Sequence, residues 1–191
     1  MHKSTKWLIG MIGLIVLMPL LSTMLPQVDP SEETSILHFY LALHILGVVL
    51  FLGNIIVTGI WMYLAEKTKN ISVINFSVKA VNWMDVFFTA PGVALILLTG
   101  FLQAPHFGGI YSQSWMVMGI TLFSLSGLIW IIFLIPDQNR LIKISEGVDV
   151  EKRKLPKSFF KILHRWYLWG IIAIILPLIT VLDMALKPKF W

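Results

Sequence analysis

The sequence predicts an all-α fold: a polytopic membrane protein that forms a single domain, a bundle of five transmembrane helices, over residues 1–191. Two observations concern composition: 57% of the residues are apolar and only 13% are charged, with a mean hydropathy of +0.82. A soluble domain has about 45–50% apolar and about 25% charged residues. The third observation is that several apolar stretches reach the roughly 20 residues that a helix needs to cross a bilayer. These features exclude a water-soluble globular enzyme, and also a disordered chain, which needs low hydrophobicity and high net charge.

Five stretches have the length and hydropathy of membrane-spanning helices, with expected bounds of about 7–25, 36–64, 83–103, 114–135 and 162–186. The first follows Lys3 and Lys6, as the apolar part of a signal peptide would. Its apolar run is long for a signal peptide, and no small-residue cleavage site follows it, so we expect an uncleaved helix. We expect the fourth stretch to end at Pro136, since proline interrupts helices.

The distribution of Lys and Arg predicts that the N-terminus lies in the cytoplasm and the C-terminus outside. In this orientation twelve basic residues fall in cytoplasmic segments, and only Lys187 and Lys189 fall outside. Cytoplasmic loops carry such an excess of positive charge. The expected location is therefore the cytoplasmic membrane. Because the basic residues lie between apolar spans, the formal net charge of +5 indicates contact with anionic lipids of the bilayer and no nucleic acid partner.

The cytoplasmic loop 137–161 is the one sizeable polar segment in this arrangement. It carries seven basic residues, and Gly147 and Pro156 argue against one continuous helix through it. Two interpretations stay open: a docking site for a partner protein, or a solvated linker near the lipid headgroups. The chain has no cysteine, which excludes disulfides, zinc–thiolate sites, iron–sulfur clusters and thiol catalysis.

The second stretch carries a stripe of polar and small residues at the 3–4 spacing of one helix face. The stripe consists of His44, Gly47, Phe51, Asn54, Thr58 and Trp61. Such a face is typical of helix–helix packing in membranes, where His, Asn and Thr form hydrogen bonds across the interface. The stripe therefore predicts an inward-facing surface that includes Asn54 and Trp61. A functional interpretation is that His44 ligates a metal or haem iron, because neutral imidazole is a good iron ligand.

Depth in the membrane and position around the helix restrict which residues could bind the same iron as His44. His38 is six residues away and does not share its face. His164 lies about 20 Å deeper along the membrane normal, so one iron cannot bind both histidines. A second iron ligand would come from the outer half of the bundle. The candidates are Met116 and Met118 at the start of the fourth stretch and His106 in the outer loop; a five-coordinate site is the alternative.

Charged residues also occur near the predicted cytoplasmic ends of the spans. Asp85 is expected in the first turn of the third span and Arg165 in the first turn of the fifth, so the two could form an ion pair at similar depth. A structural ion pair is the simpler interpretation, and a proton relay is the alternative. The Pro91-Gly92 pair predicts a kink in the third span.

Several segments resemble a family of bacterial integral membrane proteins that is defined as a domain of unknown function. The resemblance covers most of the chain from residue 36 onward. It lies in Leu43-His44-Ile45-Leu46-Gly47 through Gly53-Asn54, Thr58-Gly59-Ile60-Trp61-Met62, Thr99-Gly100, Ser126-Gly127-Leu128-Ile129-Trp130, Leu134-Ile135-Pro136 and His164-Arg165-Trp166.

A more distant resemblance is to the HemJ-type membrane protoporphyrinogen oxidases. His44 matches their haem-ligating histidine at the start of a helix, residues 89–92 match their Thr-x-Pro-Gly turn, and Trp115 matches a tryptophan that starts the next helix. The resemblance implies haem b with His44 as axial ligand. The family's lysine four residues after that tryptophan is Gly119 here, so the oxidase activity is not carried over.

Three functions follow from these patterns, and no catalytic residue is assigned. The leading one is a haem-binding or redox-related membrane protein with His44 as axial ligand. The second is a cofactor-free interaction or assembly subunit, with a membrane protein partner or a second copy of the chain on the His44 stripe. A small-solute carrier ranks last, since no repeat or paired broken helices are evident.

Overall fold

The computed structural model describes residues 2–25, 35–148 and 154–191, and these form a bundle of α-helices. The eight α-helices are α1 (Lys3–Val16), α2 (Met18–Ser22), α3 (Ser35–Lys67), α4 (Ile71–Met84), α5 (Ala90–Gln103), α6 (Ser114–Ile129), α7 (Ile135–Glu146) and α8 (Lys157–Leu186). A π-helical turn joins α4 to α5 at Asp85–Thr89, and another joins α6 to α7 at Trp130–Leu134. Two short 3₁₀ turns, Ala104–Phe107 and Ile110–Ser112, connect α5 to α6.

Among the described residues, four helical segments are long and apolar enough to cross a membrane. They are Ser35–Lys67, Ile71–Phe107, Ser114–Glu146 and Lys157–Leu186. The predicted second and fifth spans agree with α3 and α8 within a few residues. The helix that carries the predicted third span begins at Ile71, twelve residues before the expected start at 83, and one face of this added stretch lies inside the bundle. Ser77 and Asn82 of this stretch are fully buried.

The helix that carries the predicted fourth span does not stop at Pro136, as expected, but continues to Glu146. A π-helical turn precedes this proline, as another precedes Pro91, and each proline is the second residue of the α-helix that follows. Each π turn closes with a hydrogen bond from residue i+5 to residue i, from Ala90 to Asp85 and from Ile135 to Trp130. Proline removes a backbone donor and clashes with an earlier carbonyl. The wider turn shifts the hydrogen-bond register before that point, so the helix continues.

The first predicted span is divided in the structure. Helices α1 and α2 meet at Leu17, two residues before Pro19, and neither is long enough to cross a membrane alone. Leu8 and Ile15 of α1 pack against a cluster that contains Val86 and Ala90. The first helix therefore lies against the α4–α5 segment. The predicted acidic outer loop, with Asp29, Glu32 and Glu33, lies outside the described residues.

Two helix pairs, α3 with α5 and α6 with α8, form the largest contacts of the bundle. The α3–α5 pair is close because it has glycine on both sides: a Cβ at Gly92 would lie 2.8 Å from the Gly47 carbonyl oxygen. Small residues allow such backbone approach in membranes. Large apolar side chains of α3, α6 and α8 remain exposed on the outside of the bundle, where they would contact the lipid bilayer.

The best-packed core lies where α4, α7 and α8 meet the end of α3. Its fully buried residues are Met62, Ile74, Val78, Val81, Leu141, Ile142, Phe159 and Leu163. The first ten residues of the predicted loop 137–161 therefore belong to helix α7 and to this core, which corrects the prediction of a solvated polar segment there. Residues 149–153 of that loop lie outside the described part.

Candidate functional site

His44 lies half-buried on α3 and is held by a hydrogen bond to helix α5. Its Nδ1 lies 3.0 Å from the Thr99 hydroxyl oxygen. The backbone of Ile96, one turn earlier on α5, is a further hydrogen-bond partner of the ring. A Cβ added at Gly100 would stand 3.4 Å from His44 Cε1, so the absent side chain leaves room for the imidazole.

The hydrogen bonds of Thr99 favour one tautomer of His44. The Thr99 hydroxyl oxygen lies 2.5 Å from the Leu95 carbonyl oxygen, to which it donates its single proton. In this arrangement the Thr99 oxygen accepts a hydrogen bond from His44 Nδ1–H. In a neutral imidazole the lone pair then lies on Nε2, which is the atom that a metal ion would bind. A hydrogen bond that fixes the other ring nitrogen is the usual support of a ligating histidine.

The predicted second ligands pack in a different part of the bundle. Met116 is buried in a cluster with Ala104 and Trp115, and Met118 is 37% exposed. The His106 ring stands edge-on to Phe107, at 5.1 Å between centroids, and its buried Nδ1 has no hydrogen-bond partner among the described residues. The packing partners found for Met116 and His106 come from the outer loop, α6 and α8, whereas those of His44 come from α5. Both alternatives, a second protein ligand and a five-coordinate site, stay predictions.

His164 lies at the opposite end of the bundle from His44. Its Nε2 is 3.4 Å from Glu66, and the Tyr167 hydroxyl donates to the same carboxylate at 3.1 Å. Glu66 follows His44 by 22 residues on one helix, or about 33 Å. This agrees with the prediction that the two histidines cannot share an iron.

Asn54 belongs to a buried polar network that ties α3 to the first π turn. Its amide donates to the Thr89 hydroxyl at 2.8 Å and to Asp85 Oδ1 at 3.2 Å, and Thr89 donates to the same oxygen at 2.8 Å. The Trp130 side chain, first in the second π turn, also forms a hydrogen bond with Asp85. Residues of both π turns therefore meet at the Asp85 carboxyl group. Its Oδ1 atom accepts hydrogen bonds from Asn54 and Thr89.

The predicted pairing of Asp85 with Arg165 was wrong. Because α4 begins at Ile71, Asp85 lies 14 residues, or about 21 Å, into the span and not in its first turn. Arg165 instead forms a two-pronged ion pair with Asp137: Nε donates to Oδ2 at 2.8 Å, and Nη2 donates to Oδ1. Sequence gave no signal for this partner, since Asp137 was assigned to a loop.

Trp61 does not face inward, which corrects the end of the predicted stripe. It is 39% exposed and lies beside Phe76 of α4. The buried face of α3 consists of Tyr40, Gly47, Phe51, Thr58, Met62 and Ala65. At 3.6 residues per turn, Trp61 lies about 60° from the middle of this face, because alternating steps of three and four residues drift around a straight helix.

A cavity of about 520 Å³ lies between α3, the two π turns, α6 and α8. Its walls are mainly apolar, and Asp85 and Thr89 lie on one side. The first lining residue on α3 is Phe51, about 10 Å along the helix from His44. His44 is not among the lining residues, so the cavity and the histidine are separate places in the bundle. Sequence spacing could not reveal the cavity, because residues from all four long helical segments line it.

A protein-family model matches most of the chain. It covers residues 39–188 and has the description "Predicted integral membrane protein (DUF2269)". No curated protein and no solved structure matches the chain. The predicted resemblance to a membrane family of unknown function is confirmed, whereas the distant similarity to HemJ-type oxidases stays a prediction.

Proposed function

The chain belongs to the DUF2269 family of predicted integral membrane proteins, and on this premise we propose that it binds haem b through His44 and takes part in electron transfer. The observation that carries the proposal is the 3.0 Å distance between His44 Nδ1 and the Thr99 hydroxyl oxygen, whose own proton has an acceptor in the Leu95 carbonyl. With Nδ1 protonated, the Nε2 lone pair of His44 would hold the haem iron. The haem would supply the one-electron chemistry, and the protein would place it and adjust its potential.

The orientation in the membrane is part of the same proposal. His2 N–H donates to Asn139, and Thr5 contacts Asn82, so α1 starts beside α4 and α7. Leu8 and Ile15 then pack with residues of the first π turn and α5. This course supports a fifth, broken crossing by α1 and α2. With the basic segments inside, the N-terminus is cytoplasmic, the C-terminus is outside and the membrane is the cytoplasmic membrane.

An absorption spectrum of the full-length protein in detergent, oxidised and dithionite-reduced, tests the haem proposal. Expression with added haem is expected to give a Soret band that His44→Ala abolishes. His38→Ala is the matched control, because His38 lies on the same helix at an exposed position and is expected to keep the band. Thr99→Val keeps the shape of Thr99 but removes the acceptor for Nδ1–H, and should weaken haem affinity by about 10–100-fold.

Two results would contradict the haem proposal. One is a folded protein that has no Soret band even after haem supply. The other is a band that His44→Ala leaves unchanged. In either case His44 is a packing residue of the α3–α5 interface, as small and polar residues often are in membranes. Without a Soret band the cofactor-free assembly subunit becomes the leading function, whereas an unchanged band assigns the haem to another ligand.

A further inference from the structure

The cavity between α3, α6 and α8 has the properties of a ligand site, and it is independent of the haem proposal. Its volume of about 520 Å³ falls in the range of small-molecule sites, about 300–1,000 Å³. Three of its lining residues are glycines: Gly59, Gly127 and Gly170. A Cβ added to any of them would have no neighbour within 4 Å. The space is therefore created partly by missing side chains, on each of the three long walls.

Among the described residues that line the cavity, Asp85 alone is acidic or basic, and it has no cationic partner. Asp85 is 5% exposed, and its hydrogen-bond partners Asn54, Thr89 and Trp130 are all uncharged. No Lys, Arg or His lies among the lining residues that the structure describes. Lys79, the basic residue nearest to Asp85 in sequence, is paired with Glu146, and Arg165, next to the lining residue Trp166, is paired with Asp137. A carboxylate inside a membrane bundle normally has a partner and marks a functional site.

Aromatic rings surround the space that Asp85 faces. The aromatic lining residues are Phe51, Tyr63, Phe123, Trp130, Trp166 and Tyr167. The faces of such rings attract cations, and the attraction is stronger when the cation is out of water. The cavity is therefore complementary to an organic cation with apolar substituents, since it offers apolar walls, aromatic rings and one acid without a counter-ion.

A second feature that points to a ligand is a buried polar side chain without partners. Gln138, at the α7 end of the cavity, is 2% exposed, and neither Oε1 nor Nε2 has a hydrogen bond among the described residues. Buried amides without partners are rare and costly. The Oε1 atom is a suitable acceptor for an N–H group of a bound amine.

We propose that this cavity binds a lipophilic organic cation, an amine or quaternary onium ion with apolar substituents, with Asp85 as its counter-ion. The ligand reaches the site from the bilayer. Ile60 of α3 and Ile171 of α8 both line the cavity and are more than half exposed on the outside of the bundle. They mark a lateral opening between these two helices, through which a membrane-dissolved molecule enters.

Equilibrium dialysis of radiolabelled tetraphenylphosphonium against the full-length protein in nanodiscs, with empty nanodiscs as reference, tests the proposal. Saturable binding is expected, and tetraphenylborate, which has nearly the same shape and the opposite charge, should not compete. Asp85→Asn keeps the acceptor for Asn54 and Thr89 but removes the charge, and should weaken binding by about 30-fold or more. Asp183→Asn is the matched control: like Asp85, Asp183 is a buried acid without a cationic partner among the described residues, but it does not line the cavity.

A variant that leaves Asp85 intact tests the site if Asp85→Asn fails to fold. Gly127→Leu places a side chain in the empty space and should abolish binding, while Gly53→Leu, at an open position outside the cavity, should not. Equal affinity for phosphonium and borate, or undiminished binding by folded Asp85→Asn, overturns the proposal in favour of a neutral lipid site. The Soret band at His44 is read separately, so failure of either proposal is distinguishable from failure of the other.

Discussion

The close contact of α3 with α5 predicts that Gly92→Ala destabilises the protein although alanine is the better helix former. The added Cβ would stand 2.8 Å from the Gly47 carbonyl oxygen, 2.8 Å from the Phe51 backbone nitrogen and 3.1 Å from Phe51 Cβ. Ordinary contact begins at 3.4 Å. Because two of the three neighbours are backbone atoms, no side-chain rotation relieves the overlap, and the helices must separate by roughly 0.6 Å, the difference between these distances.

The expected magnitude follows from two opposing effects. Overpacking of this kind costs about 1–3 kcal/mol, and contacts with backbone atoms favour the upper end. The change from glycine to alanine in a helix returns up to about 1 kcal/mol. We therefore expect a net loss of about 1–2 kcal/mol in the free energy of unfolding. For a chain of this size, each kcal/mol lowers the Tm by about 2–4 °C.

Intrinsic tryptophan fluorescence during heating in detergent measures this effect, since the chain has eight tryptophans. Gly53→Ala is the control on the same helix pair: nothing lies within 4 Å of its added Cβ, so its Tm should stay unchanged or rise slightly. A Gly92→Ala protein as stable as Gly53→Ala would refute the reasoning, because it would mean that the two backbones are not in contact at Gly47.

Two further substitutions probe the ends of the helices near the basic loops. Arg165→Ala leaves the buried carboxylate of Asp137 with only Arg140, whose nearest nitrogen is 3.4 Å away, and should cost about 1–3 kcal/mol. Arg140→Ala removes an exposed and longer-range partner and leaves the bidentate Arg165 in place, so it should cost at most about 1 kcal/mol. Equal losses of Tm for the two arginine variants would contradict the bidentate geometry. Asn70→Ala removes the side-chain cap of α4, whose Oδ1 accepts two backbone N–H bonds, and should cost about 0.5–2 kcal/mol. Asn70→Ser, which retains a capping oxygen, should recover most of that loss in the same thermal assay.

The polar residues of the chain show how far pattern reasoning reaches. The stripe on α3 was visible in the sequence because residues on one face recur at fixed spacing, and His44, Gly47 and Asn54 do contact other helices. The sequence could not predict that Thr99 contacts His44. Nor could it predict that Asp85 and Thr89 contact Asn54. Thr99 lies 55 residues from His44, and Asp85 lies 31 from Asn54. Periodicity within one helix has no information about the rotation of a neighbouring helix.

The sequence by itself determined the membrane class, the positions of α3 and α8 and the separation of His44 from His164. These follow from local hydropathy and from 1.5 Å of rise per residue, which do not depend on the rest of the fold. The tertiary structure alone decided that the chain continues through Pro91 and Pro136 in π turns, that Arg165 pairs with Asp137 and that a cavity opens beside Asp85. A polar segment such as 71–82 is helical within the bundle because other helices bury it and provide partners for part of its polar surface. Burial by neighbouring helices is not encoded in any one stretch of the chain.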